Sequence, residues 1–162
     1  MSSIVLNDLS KFEKFDRSLQ EFDIEDPKED QISIIAEKID ELRKLCWSYL
    51  GVSRNKVNMS KFLSYIQDDI SQLQKNNLLS TLEKIKFNQK IKLNEPNRRA
   101  LNLLLDLKNR QITTLTLLKA CLFREESRGG HYRDDFPVKV ENWECHTRQQ
   151  LNQKIHKRFI KN

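Results

Sequence analysis

The sequence predicts an all-α fold: an up-down-up three-helix bundle, spectrin-repeat-like, with an N-terminal arm and a C-terminal loop followed by a short basic helix. Three observations carry that expectation. Apolar residues recur every three or four positions over long stretches, which is the period of one helix face. Only three glycines and three prolines occur in 162 residues, too few for the many turns of a strand-rich fold. No internal repeat or low-complexity segment interrupts the pattern, and the length suits one domain with an appended arm.

Along residues 4–22, Leu9, Phe12, Phe15, Leu19 and Phe22 stand at near-helical spacing, the signature of a short amphipathic arm. "DIEDPKED" (23–30) then breaks the pattern with acids and Pro27 and reads as a linker. The bundle is expected over 31–147. Its first helix carries Ile32, Ile35, Ile39, Leu42, Cys46 and Tyr49, alternately three and four apart, which draws one apolar seam along a rod. Gly51 is expected to stop that helix in a left-handed conformation.

A second helix is expected to start near Asn58 or Ser60 as cap, with a seam of Met59, Phe62, Ile66, Ile70 and Leu73 extending through Leu78, Leu82 and Ile85. "NQKIKLNEPN" (88–97) reads as a turn, with Pro96 at the head of the third helix. That helix, near 97–126, is expected to bury Leu101, Leu104, Leu105, Ile112, Leu115, Leu118 and Leu122. Arg124 to Arg128 are read as its last turn, and Gly129-Gly130 as its end.

Charge is uneven. The net charge is +6, residues 1–30 hold nine acids against four bases, and the tail 148–162 holds five bases and no acid. A basic tail can bind nucleic acid, but the chain has no aromatic stacking platform or reader motif, so that partner is disfavoured. Cys46, Cys121 and Cys145 are odd in number and widely spaced, as expected of reduced thiols. No apolar run spans a bilayer and no signal peptide leads the chain, so a cytoplasmic location is expected.

The stretch "REESRGGHYRDDFP" (124–137) concentrates the polar chemistry. A phosphate cradle needs glycines leading into a helix N-terminus, and here they follow a helix. A hydrolase would use Ser127, His131 and Asp134 or Asp135, yet the G-x-S-x-G elbow is missing. A metal site would recruit Cys121, His131, Cys145 and His146, whose spacing matches no zinc pattern. What remains is a charge-balanced knot at a helix end, where arginines meet carboxylates and carbonyls.

These residues resemble the R-x-E-S-R-G-x-H-x-R-x-D-x-P signature of the succinate dehydrogenase/fumarate reductase flavoprotein family. Arg124, Glu126, Ser127, Arg128, Gly129, His131, Arg133, Asp135 and Pro137 stand at matching positions. "ELRKLCWSYLGVSRN" (41–55) is similar to the family's E-L-R-x-x-M-W-x-x-x-G-I-x-R segment through Glu41, Arg43, Trp47, Gly51 and Arg54, with Cys46 for methionine and Val52 for isoleucine. The short stretch after the signature is most similar to the L-aspartate oxidase branch.

The resemblance implies the C-terminal helical bundle of an FAD enzyme that oxidises L-aspartate to iminoaspartate in de novo NAD biosynthesis. It implies packing against an FAD-binding domain, with residues 1–30 as the arm and linker from it. Met1 before that arm reads as the start of a truncated piece. Glu126, Arg128, His131 and Arg133 are expected to hold the helix end. Tyr132 and Trp143 are expected to offer apolar contact, Trp47 either to join them or to lie in the core, and self-association is expected through an exposed patch.

No catalytic, cofactor-binding or metal residue carries over, so FAD belongs to the parent enzyme and none is expected in this piece. The alternatives are a succinate dehydrogenase or fumarate reductase C-terminal domain, or a self-standing helical adaptor that uses its basic tail to bind RNA or protein.

Overall fold

The computed structural model describes residues 19–20, 26–85, 90–150 and 153–159. Four helices dominate: α1 (Glu29–Leu50), α2 (Lys56–Leu73), α3 (Asn77–Glu83) and α4 (Glu95–Phe123). Each of the last three starts on an asparagine whose side-chain oxygen takes a free N–H of the first turn: Asn55 from Asn58, Asn76 from Leu78 and Leu79, Asn94 from Asn97. The cap of α2 is therefore Asn55, ahead of the expected Asn58 or Ser60. Pro96 sits in the first turn of α4 as expected.

α1 and α4 run parallel: Glu29 meets Arg99 near their starts, and Cys46 Sγ lies 3.3 Å from Thr114 Oγ1 farther along. α2 runs antiparallel to both. Its Phe62 stacks on Tyr49 of α1 at 5.3 Å, and its Asp69 meets Gln111 and Lys38 lower down. The main core gathers Leu42, Leu50, Met59, Phe62, Ile66, Leu107, Leu118 and Cys121, and a smaller cluster gathers Ile32, Leu78, Leu79, Ala100 and Leu104. The apolar seams of α1 and α2 lie where the periodicity puts them.

Several expectations are corrected. The long second rod breaks at Gln74–Asn76, where the Asn76 side chain caps a new helix, so four helices replace three. The seam of α4 is Asn97, Ala100, Leu104, Leu107, Gln111, Thr114, Leu118 and Cys121. Leu105 and Ile112, expected inside, are 42% and 48% exposed. The fold is mostly helical, but it also has two small sheets. β1 (Leu19–Gln20) pairs parallel with β2 (Lys90–Ile91), so Leu19 lies in a strand; the rest of the expected helical arm lies outside the described residues.

The expected basic helix is instead a hairpin strand. β3 (Cys145–Arg148) pairs antiparallel with β4 (His156–Phe159), Cys145 opposite Phe159. Lys157 fixes it by placing its ammonium 3.5 Å from the centroid of the Trp143 ring and donating to the Asn142 carbonyl at 2.8 Å. No helix among the described residues is long and apolar enough to cross a membrane.

Candidate functional site

α4 stops at Phe123, because Arg124 already has extended backbone (φ −84°, ψ 110°). The expectation that Arg124–Arg128 form its last turn is overturned. The terminal carbonyls are met instead by a residue ten positions further on. Arg133, wholly buried, donates from Nη1 to the carbonyls of Cys121, Leu122 and Arg124 at 3.2, 3.1 and 3.1 Å. Its cation faces the negative end of the helix, and it also lies 4.6 Å from the Phe136 ring centroid. Its other edge grips Asp135 in a two-pronged pair, Nε to Oδ1 at 2.9 Å and Nη2 to Oδ2. Asp135 in turn accepts the Lys56 N–H at 3.0 Å, in the first turn of α2. The Arg133 bond holds the Asp135 carboxyl below its usual range. One arginine thus ties the end of α4 to the start of α2.

Glu126 is equally buried. It accepts from Arg124, from Arg128 Nε at 2.9 Å and from the Val140 N–H at 3.0 Å. Burial pushes this carboxyl up, but the Arg128 and Val140 hydrogen bonds and the two positive charges outweigh it, so it titrates below its ordinary value. Arg124 continues to the carbonyls of Trp143 and Cys145, bringing β3 onto the loop.

Ser127 spends its hydroxyl inside the loop: Oγ donates to the Phe136 carbonyl at 2.8 Å and accepts the Arg133 N–H at 2.8 Å. His131 donates from Nε2 to the Arg124 carbonyl at 3.3 Å, which leaves Nδ1 facing Arg54 Nη1 at 3.5 Å as acceptor. Burial, reinforced by Arg54, Arg124 and Arg133, lowers its pKa despite the Arg124 carbonyl bond. Ser127 and His131 are not bonded to each other, so no nucleophile–base pair exists in the loop. Among the described residues, no group of three or more His, Cys, Asp or Glu is placed to hold a metal.

Gly129, at φ +58°, is the first corner of a two-residue turn in which Arg128 and His131 exchange backbone hydrogen bonds of 2.8 and 3.1 Å. It shapes a hairpin and does not end the helix. Pro137 is exposed, between Phe136 and Val138, whose carbonyls accept from Ser127.

Arg54 brings the second motif to the first. Its Nε donates to the Leu50 carbonyl at the end of α1 at 3.0 Å, and its Nη1 to the Gly130 carbonyl at 3.2 Å. Its own carbonyl accepts the Asp134 N–H at 2.8 Å, and Ser53 Oγ donates to the Asp134 carboxylate. Gly51 has negative φ (−62°), against expectation. A Cβ there would collide with the Trp47 carbonyl, so close approach explains the glycine. Glu41 faces Tyr65, whose hydroxyl is pushed up to about 12 by burial first and by Glu41 and Asp69 second. Arg43 is exposed and, among the described residues, pairs with Asp40 at 3.2 Å.

Trp47 is 77% exposed. It shares a shallow concavity with Val52, Leu117 and Tyr132, all exposed, and with Arg43, Lys44, Arg54 and the Gly129-Gly130 turn. Sequence reasoning named Tyr132 as a contact and left Trp47 between contact and core, and its exposure decides against the core. It missed Leu117, whose signal is a leucine off the buried seam of α4, and Lys44, which carried none.

A family model described as "Fumarate reductase flavoprotein C-term" matches residues 39–160, spanning both motifs and the hairpin. The chain belongs to this family. It is 33% identical over 111 residues to an L-aspartate oxidase of Synechocystis, a match that covers 66% of the chain and 20% of that relative. It is 33% identical over 127 residues to a fumarate reductase (CoM/CoB) polypeptide of Methanothermobacter marburgensis, covering 77% and 20%. An uncharacterised FAD-dependent oxidoreductase of Methanocaldococcus jannaschii is 32% identical over 105 residues, covering 65% and 16%. The chain therefore spans about a fifth of the length of the curated relatives it matches. Its glycines, at 51, 129 and 130, cannot form G-x-G-x-x-G, and its strand pairs are two-stranded.

Proposed function

We propose that this domain is the helical C-terminal module of an FAD-dependent enzyme of the L-aspartate oxidase kind, and that it packs on the FAD-binding domain without taking part in the chemistry. The observation that carries this reading is the division within the two motifs. Glu126, Ser127 and Arg133 turn their hydrogen bonding inward, onto the loop and the end of α4, whereas Trp47 and its apolar neighbours Val52, Leu117 and Tyr132 stand open beside them. A large aromatic at 77% exposure, on a helix end held by the Arg54 bond to the Leu50 carbonyl, is a surface made for a protein neighbour. Interfaces between domains of one chain typically bury about 600–1,500 Å².

A reading as a succinate- or fumarate-linked flavoprotein is supported by the 33% identity to the methanogen fumarate reductase over 77% of the chain. Assays of the intact enzyme with L-aspartate and with fumarate or succinate separate the two. In either case Arg128→Ala is expected to lower flavin retention and melting temperature while turnover per bound flavin stays unchanged. A large loss of turnover with normal flavin content and melting contradicts the non-catalytic role. The adaptor reading loses support from the tail: Lys157 is folded over Trp143 and bonded to the Asn142 carbonyl.

A further inference from the structure

The open face is not electrically neutral. Its charged lining is Arg43, Lys44 and Arg54, with no Asp or Glu among the lining residues. Arg43 has one carboxylate near it, Asp40 at 3.2 Å, in a pair exposed on both sides and therefore weak. Arg54 spends donors on two carbonyls, which do not neutralise it. Lys44 forms no ion pair among the described residues. Of the neighbouring knot's carboxylates, Glu126 is committed to Arg124 and Arg128 and Asp135 to Arg133, and Asp134 accepts the Ser53 hydroxyl. Above Gly129 and Gly130 a Cβ would meet nothing, so another backbone can approach the turn. A second copy of this chain would bring the same three cations against this face, which disfavours self-association through it.

On the docking reading above, we infer that this face receives an acidic, apolar segment of the FAD-binding domain. Its Asp or Glu carboxylates lie opposite Arg43, Lys44 and Arg54, and its apolar side chains sit between Trp47 and Tyr132. Guanidinium groups suit such a partner because they bind carboxylates through two parallel hydrogen bonds. The three cations set the register, and the aromatic centre supplies the buried area.

The test uses the intact flavoenzyme that contains this domain, with hydroxyl-radical footprinting read at Trp47 and Val52 by mass spectrometry. The variants are Arg43→Glu/Lys44→Glu and Arg43→Gln/Lys44→Gln, at low salt and at about 1 M salt, where the screening length falls to about 3 Å. Trp47 is expected to be protected in the unaltered enzyme. Charge reversal is expected to raise its oxidation about threefold or more, with the neutral pair between and high salt moving the unaltered enzyme the same way. If Trp47 stays covered and neither charge reversal nor salt changes its protection, the acidic partner is refuted and the docking reading stands. If Trp47 is oxidised as fast in the intact enzyme as in the 162-residue chain, the docking reading itself fails.

Discussion

Arg133 and Trp47 belong to the two motifs of one domain, and the fold treats them in opposite ways. Arg133 is wholly buried, with three carbonyls and a carboxylate around its guanidinium; Trp47 is 77% exposed on the last turns of α1. A buried cation is tolerable only when it is paired and fully hydrogen-bonded, and Arg133 meets that condition. A solvent-facing indole leaves about as much apolar surface unspent as a side chain can offer. The difference teaches that a residue pattern shared with a family is not one site. Part of it builds the helix end, and part of it is presented by that helix end.

Arg133→Ala should break the comparison on the buried side and have the largest effect. It strands the Cys121 and Leu122 carbonyls at the end of α4 and leaves Asp135 without its arginine. Because Asp135 is 29% exposed, the cost belongs at the lower end of that for a broken buried pair, about 3 kcal/mol. Urea unfolding of the 162-residue chain measures it, and a loss within the error of a surface substitution would contradict the cap.

Acid sharpens the same side. Glu126 and Asp135 titrate below their ordinary values in the fold, so the stability they contribute is fully present above about pH 4.5 and is lost as pH falls through their lowered native values. His131 also titrates below its ordinary value. Its contribution is present above about pH 6.5 and is lost as pH falls toward its native value, because the unfolded chain binds the proton more readily. The urea midpoint should therefore fall in two stages on acidification. His131→Asn should flatten the upper stage, and Glu126→Gln part of the lower one. Glu126→Gln should also cost roughly 1–3 kcal/mol at neutral pH, because two arginines lose a charged acceptor.

The legibility of this molecule follows the range of its interactions. The seams of α1 and α2 could be read because Ile32, Leu42, Phe62 and Ile66 are apolar and periodic. The seam of α4 was displaced because it runs through polar residues. Gln111 donates to Asp69, which also accepts from Lys38, and Thr114 meets Cys46, so two core positions find partners on other helices. The break after α2 turned on a single capping asparagine in a run of polar residues.

The end of α4 was misread for a related reason. Local rules favour a glycine stop, but the cap arrives from Arg133 through a loop whose path depends on Ser127 and Arg54. The basic tail showed charge but not the pairing of four-residue strands that Trp143 and Lys157 lock in place. The polar knot was legible as a knot. Its division into a holding half and a presenting half depended on burial, which residue type alone does not reveal.

The exposed side of the comparison is tested most directly by Trp47→Ala, measured twice: by urea unfolding of the 162-residue chain and by flavin content of the intact enzyme. The chain should keep its stability to within about 0.5 kcal/mol, as for a surface substitution, while the intact enzyme loses bound flavin. If the chain itself is strongly destabilised, or the intact enzyme keeps its full flavin, Trp47 is not presented to a neighbouring domain and the account is contradicted.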